Sequence, residues 1–160
     1  MRRVITWLLP VVLLATTVLV GVLAVQRWQD RAGDTLADAP VDVGADVASD
    51  FFTLDYRTLE ADSAKVLDRA TGEFKAQYRT ESSSLQASVK EKQLVLTASV
   101  PESGSALEYL AGDEAWVLVA VDVHTEGAGG LSEETRYRTR VVLERSEDDE
   151  WLVARLEQVG

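Results

Sequence analysis

The feature that most constrains this chain is an uninterrupted apolar run near its N-terminus. Residues 4–25, VITWLLPVVLLATTVLVGVLAV, contain no charged side chain. An α-helix needs about 20 such residues to cross a hydrocarbon core of roughly 30 Å. Trp7 and Trp28 are 21 positions apart, about 31 Å along a helix, so their indole rings would lie at the two membrane–water interfaces. The run therefore predicts one transmembrane helix over residues 4–25, embedded in the lipid bilayer.

A cleaved signal peptide is the competing interpretation of this run. Ala24 and the valine two positions before it satisfy the small-residue rule for cleavage after Ala24. The apolar run is longer, however, than the about 7–15 residues of a typical signal-peptide core. We therefore favour an anchor that stays attached to the protein.

The orientation of this anchor depends on the charges around it. Two arginines precede the run and two follow it, so the count of arginines does not orient it. The strongly acidic region after the run favours an N-terminus, residues 1–3, in the cytoplasm. We therefore expect a single-pass protein of the cell membrane whose C-terminal domain is extracytoplasmic.

Charge and composition exclude several classes of function. The net charge of the chain is −11, and residues 1–31 carry +3 (four arginines against one aspartate), which leaves −14 for the remainder. Such an acidic surface repels phosphate backbones, so we expect no nucleic-acid partner. The chain has no cysteine and one histidine, which excludes a thiolate site or a multi-histidine zinc centre. We expect no metal and no cofactor.

The region after the apolar run begins with a helical pattern of apolar residues. Residues 26–41 are polar and small, which predicts a tether, and an α+β domain is expected over residues 42–160. Apolar residues recur at helical spacing in three segments, with Thr71 and Gly72 as cap and bend before the third. The three segments are Val43 to Leu54, Leu59 to Ala70, and a segment containing Phe74, Tyr78, Leu85 and Val89.

After Lys92 the pattern alternates, as it does in strands. The strands are expected at residues 94–100, 106–110, 115–125, 135–145 and 151–159, with EGAGGLSEE as a flexible connection before the fourth. The run over 115–125 is apolar on both faces, so we expect both of its faces to be covered. Helices followed by an antiparallel meander predict an α+β domain, with about three helices packed on one side of a curved sheet.

Asp122 and His124 are the candidates for acid/base chemistry. Side chains two positions apart share one face of a strand, so Trp116, Asp122 and His124 line the same side. In one interpretation Trp116 forms the floor of a pocket and Asp122 orients His124 as a general base. In the other, His124 is the half-solvated end of a strand. We favour the second, because an acid/base site needs further convergent polar groups.

A row of arginines on the fourth strand has two similar interpretations. Arg136, Arg138 and Arg140 share a face and could bind a carboxylate or a phosphate. More often such a row is a solvated sheet face whose cations pair with acidic neighbours on adjacent strands. We favour the second interpretation because the soluble part is rich in acidic residues.

The chain resembles the Mce-associated membrane proteins of actinobacteria. Residues 51–78, FFTLDYRTLEADSAKVLDRATGEFKAQY, carry the likeness most clearly, and WVLVAVD and the closing WLVARLEQV also fit it. The resemblance implies a single-pass anchor and an extracytoplasmic domain of the NTF2-like, VirB8-like cone fold. It also implies an accessory or stabilising subunit of Mce lipid-import machinery, and it brings no active-site residues.

The sequence features predict a membrane-anchored, non-enzymatic subunit that acts by docking, and the resemblance implies Mce transporter subunits as its partners. Two alternatives stay open at this point. One is a carrier domain that holds a lipid or sterol ligand between its sheet and helices. The other is an NTF2-like enzyme that uses Asp122 and His124.

Overall fold

The computed structural model describes residues 38–160. The predicted span over residues 4–25, its tryptophans Trp7 and Trp28, and residues 26–37 of the predicted tether lie outside the described residues. None of the helices within residues 38–160 combines the length and the apolar character needed to cross a membrane.

Three helices are present where the apolar periodicity predicts them. Helix α1 covers residues 38–52, α2 covers Leu59–Asp68 and α3 covers Gly72–Glu91. Residues 38–41, which were assigned to the tether from their polar composition, are helical instead. The reason is packing, since Pro40 is fully buried and Val41 packs against the core.

The strands form one antiparallel sheet of six, and the first strand, β1, lies between helices α1 and α2 in the sequence. In the order β1-β2-β4-β5-β6 each strand pairs with the next, and β3 pairs with the first half of β4. The strands are β1 Leu54–Asp55, β2 Val95–Ser99, β3 Ser105–Ala111, β4 Glu114–Gly127, β5 Leu131–Arg145 and β6 Trp151–Gln158.

The β4–β5 hairpin is longer than predicted. The two strands pair without interruption from Glu114 opposite Glu144 to Gly127 opposite Leu131. The expected flexible connection therefore shrinks to a turn of three residues, in which Gly129 and Gly130 adopt φ values of +81° and +84°. Glycine reaches this left-handed region without the steric cost that other residues bear, which allows such a tight turn.

The core lies between the helices and one face of the sheet. On β4 the valines Val117, Val119, Val121 and Val123 are at most 3% exposed. The opposite face, which we call the outer face, carries Trp116, Leu118, Ala120, Asp122 and His124, all of them partly exposed. The prediction that both faces of this strand are covered is therefore wrong, because no described helix packs on the outer face.

The helices contact the sheet at a few close points. Helix α1 approaches β4 at Gly44, where an added Cβ would lie 2.9 Å from the Cβ of Val117. The bend predicted at residues 71–72 is confirmed, with Gly72 at a φ of +54°. Thr71 forms no side-chain cap, however; its backbone N–H donates to the carbonyl of Val153 on β6 at 2.8 Å.

Helix α3 contacts buried residues near both of its ends. Phe74 and Tyr78 pack against Phe51 of α1, with ring centroids 6.3 and 5.8 Å from the Phe51 ring. Val89 is buried. Leu85, predicted to lie on the same apolar face, is instead 46% exposed.

Candidate functional site

The candidate residues of β4, which are Trp116, Asp122 and His124, all lie on the outer face of the sheet. The pairing of β4 with β5 sets Asp122 opposite Arg136, Ala120 opposite Arg138 and Leu118 opposite Arg140. The arginine row predicted for β5 therefore runs alongside the polar positions of β4. Whether each arginine is available to bind a ligand depends on the carboxylates that lie next to it.

Asp122 forms an ion pair with Arg136 and makes no hydrogen bond to His124. Nη2 of Arg136 donates to Oδ2 of Asp122 at 2.7 Å, and Nε donates to the other carboxylate oxygen. This hydrogen bonding lowers the pKa of Asp122 and raises the pKa of Arg136. The carboxylate is therefore held as an anion by the guanidinium.

His124 has different neighbours. Its Nε2 lies 3.4 Å from a carboxylate oxygen of Glu126, and its Nδ1 lies 3.9 Å from one of Glu134. The ring is 40% exposed and both glutamates are more exposed than it is. This geometry matches the polar end of a strand, because neither glutamate is fixed in a way that would orient the ring as a general base.

Asp122 and His124 nevertheless line a common hollow of about 410 Å³ on the outer face. Trp116 is six residues from Asp122, about 20 Å along a strand, and does not form the floor of this hollow. The structure therefore places Asp122 and His124 together and Trp116 elsewhere. The remaining lining includes Thr97, Ser99, Glu134 and Arg136.

Trp116 belongs to a separate cluster at the other end of the outer face. Its Nε1 donates to Oε1 of Glu114 at 2.6 Å, and its ring lies 5.2 Å from that of Tyr109. The guanidinium carbon of Arg140 lies 5.5 Å from the Trp116 ring centroid. Arg140 also donates two hydrogen bonds to Glu108, which lower the pKa of that carboxyl. This cluster covers the indole ring.

The prediction of a paired, solvated face is confirmed for two of the three arginines. Arg136 and Arg140 each hold a carboxylate through two hydrogen bonds. Arg138, between them in the row, forms no ion pair with any residue in the range 38–160. Within that range there is also no group of three or more histidine, aspartate or glutamate side chains placed to hold a metal ion.

Sequence reasoning missed a second hollow, of about 610 Å³, between the start of α2 and the C-terminal half of α3. Arg57, on its border, donates hydrogen bonds to Asp55 that lower the pKa of this carboxyl. No sequence signal indicates this hollow, because separate segments form it. Its lining is Tyr56, Arg57, Thr58, Leu59, Glu60, Ala61, Ser83, Gln86, Ala87 and Lys90.

A buried polar group beside this hollow fixes the turn before α2. Asp62 is 7% exposed, and its Oδ2 accepts hydrogen bonds from the Asp55 backbone at 3.1 Å and from the Thr58 hydroxyl at 2.9 Å. Ser63, next along the helix, accepts a hydrogen bond from Gln86 of α3 at 2.8 Å. The Ser63–Gln86 contact joins α2 to α3 and the Asp62 contacts hold the turn before α2, which indicates a structural role.

Solved structures of similar fold include a periplasmic domain and two proteins described as belonging to type IV secretion systems. The periplasmic domain of DotI matches with a TM-score of 0.63 at 16% identity, covering 74% of this chain and 91% of its own. An IcmL-like type IV secretion system protein from Legionella pneumophila matches with a TM-score of 0.62 at 10% identity, covering 74% and 88%. CagV, a VirB8 homolog from Helicobacter pylori, matches with a TM-score of 0.60 at 9% identity, covering 74% and 95%.

At these identities the likeness establishes the fold. The predicted α+β cone domain, with three helices on a curved antiparallel sheet, is confirmed in its VirB8-like form. Curated protein sequences give no match to the chain. A family model described as "Uncharacterized protein Rv1363c/MT1408-like" matches residues 4–159. The chain therefore belongs to the Rv1363c/MT1408-like family.

Proposed function

We propose that this protein is a membrane-anchored accessory subunit that acts by docking with other membrane proteins. The observation that carries the proposal is the fold, which is shared with domains described as periplasmic and as parts of type IV secretion systems. The apolar run over residues 4–25 supports an anchor because it is long enough for a helix that crosses the bilayer. An anchored domain meets other membrane proteins at a high effective concentration, so modest contacts suffice for association.

We further propose that the complex is an Mce-type lipid import system. The support for this step is the resemblance of residues 51–78 to Mce-associated membrane proteins. The protein would stabilise or position the transporter subunits from the extracytoplasmic side of the cell membrane.

Co-purification of the full-length chain from native membranes tests both steps. We expect mild detergent extraction with an affinity tag to recover Mce transporter subunits, identified by mass spectrometry. Recovery of a different set of membrane subunits would keep the docking proposal and remove the Mce step. Recovery of the tagged chain alone, under conditions that preserve a known complex from the same membranes, would contradict docking.

The lipid-carrier alternative has no observation in its favour. A carrier needs an apolar cavity between sheet and helices. In the described domain that space is occupied by side chains such as Val47, Val117 and Leu143, each of them 0% exposed. Native mass spectrometry of the purified chain is the check, because a lipid retained in stoichiometric amount would revive this alternative.

We also propose that the protein is not an enzyme. The support is that Arg136 holds the carboxylate of Asp122, and that the carboxylates nearest to His124 within residues 38–160 belong to the more exposed Glu126 and Glu134. A His124→Ala variant is expected to complement a deletion strain as well as the wild type does. A deletion phenotype restored by the wild type and not by this variant would favour the enzyme alternative.

A further inference from the structure

One arginine on the outer face differs from its neighbours in the same row. Arg136 holds Asp122 and Arg140 holds Glu108, each through a pair of hydrogen bonds. Arg138 is exposed and forms no ion pair within residues 38–160. The same range contains 25 acidic residues. The guanidinium of Arg138 therefore lacks a carboxylate partner in a described domain that is rich in carboxylates.

An apolar hollow lies beside this guanidinium. The residue opposite Arg138 on β4 is Ala120. Its side chain is a single methyl group, which leaves a depression in the surface of the sheet. The hollow has a volume of about 210 Å³, and its lining includes Gly104, Ala106, Leu118 and Val159. Pockets for small molecules usually measure about 300–1,000 Å³, so this hollow is of a size to hold one side chain rather than a lipid or a cofactor.

We propose that Arg138 and this hollow are the anchor point at which an extended segment of a partner membrane subunit docks. An aspartate or glutamate of that segment pairs with Arg138, and an apolar side chain two positions away, on the same side of the segment, enters the hollow. The inference rests on the proposed docking function and names its surface. Binding hot spots are enriched in arginine and lie in well-packed pockets that exclude water, and an arginine beside a small apolar pocket meets this description.

The overall charge of the domain does not oppose this pairing at close range. Residues 38–160 carry 25 acidic and 12 basic side chains. At physiological salt the Debye length is about 8 Å, so exposed charges farther than this from Arg138 are largely screened. The two neighbouring arginines are already neutralised by Asp122 and Glu108, which leaves Arg138 as the cation that an incoming carboxylate meets in this row.

Site-specific photocrosslinking of the full-length chain in native membranes tests the proposal. A photoreactive phenylalanine analogue replaces Ser103, which is exposed and borders the hollow. We expect adducts with a membrane subunit, mapped to a segment that has an aspartate or glutamate within a few residues of the attachment point. Because like charges at a contact are strongly unfavourable, Arg138→Glu should reduce the adduct about tenfold or more.

Two further variants make the result specific. Arg79→Glu introduces the same change of charge at an exposed position of α3 that forms no ion pair within residues 38–160, and it should leave the adduct unchanged. Ala120→Leu keeps Arg138 and fills the hollow, and it should reduce the adduct as strongly as Arg138→Glu does. Unchanged thermal unfolding of both outer-face variants shows that the loss is not due to misfolding.

The remaining outcomes overturn the inference. Adducts with lipid, adducts mapped to segments without a carboxylate, or an adduct yield that Arg138→Glu does not change would each contradict it. If the Arg138→Glu chain still co-purifies with the same partner at wild-type yield, docking stands and this surface is wrong. If the wild-type chain itself purifies alone, the proposed function fails together with the surface.

Discussion

At Gly44 a single hydrogen atom sets the distance between helix α1 and the sheet. A Cβ at this position would lie 2.9 Å from the Val117 Cβ and 3.1 Å from Cγ1 of the same side chain. Both of these residues are buried in the core, so neither side can move away without disturbing other contacts. The pairing of β4 on both of its edges further limits any adjustment of the strand.

Gly44→Ala should therefore destabilise the protein although it improves helix propensity. Alanine in a helix interior is favoured over glycine by about 0.5–1 kcal/mol, but overpacking a filled core costs about 1–3 kcal/mol. We expect a lower free energy of unfolding in urea titrations. Ser84→Ala on the exposed side of α3 is the control and should change it by less than about 0.5 kcal/mol. A stabilised Gly44→Ala variant would show that α1 does not approach β4 so closely.

Tyr78 should make stability depend on pH in the alkaline range. Burial raises the pKa of its phenol, which is 7% exposed. An unfolded tyrosine ionises at about pH 10. The stability from the neutral buried phenol is therefore fully present below about pH 10 and is lost as pH rises through the higher folded pKa.

Tyr78→Phe should flatten this alkaline loss while keeping the ring contacts. We expect the free energy of unfolding of the wild type to fall more steeply than that of the variant between about pH 9 and 11. Tyr109→Phe removes the same atom from a ring that is 44% exposed and serves as the matched control. Parallel pH profiles for wild type and Tyr78→Phe would contradict the buried placement of Tyr78.

At the scale of elements, the two faces of the sheet predict different costs for the same substitution. Leu143 on β5 is 0% exposed, whereas Leu118 on β4 lies partly exposed on the outer face. Leu143→Ala should cost about 2–5 kcal/mol, as for a fully buried leucine. Leu118→Ala should cost about 1 kcal/mol, in proportion to its incomplete burial. Equal losses in urea unfolding would mean that another element covers the outer face.

Hydrophobic periodicity predicted the elements but not what covers them. The spacing of Val43, Val47 and Phe51 and the alternation after Lys92 each report a face that avoids water, and the structure confirms a helix and a sheet there. The apolar run over residues 115–125 similarly indicated a covered outer face. On that face Trp116 is covered by Tyr109 and Arg140 rather than by a helix, and the pattern of one strand does not distinguish these two kinds of cover.

The sequence predicted that the arginines of the candidate site pair with acidic residues, but it did not predict which acidic residues these are. The arginine row indicated acidic partners, yet Glu108 is 32 residues from Arg140 in sequence. The two meet because β3 and β5 flank β4, a relation that depends on strand order and register. The hollow beside Arg138 depends on the same arrangement, so no single segment could have indicated it.

For the whole molecule, the distribution of charge argues that the fold does not depend on its ion pairs. Most of the pairs within residues 38–160 join side chains that are more than a quarter exposed, and such pairs contribute little. The excess of acidic over basic residues in this range adds self-repulsion. The apolar core therefore supplies the stability, and the surface charge is free to serve solubility and partner choice.

The last prediction concerns where the whole chain resides. Because residues 4–25 are apolar and long enough to span a bilayer, the mature protein should remain in the membrane pellet after extraction at high pH and should retain its N-terminus. Protease added to cells without an outer barrier should degrade the domain over residues 38–160, since we expect it outside the cell membrane. Mass spectrometry of the N-terminal peptide of the native protein is the most direct check. A mature chain that begins at residue 25 and is found in the medium would contradict the anchor, and with it a docking role that relies on proximity to other membrane subunits.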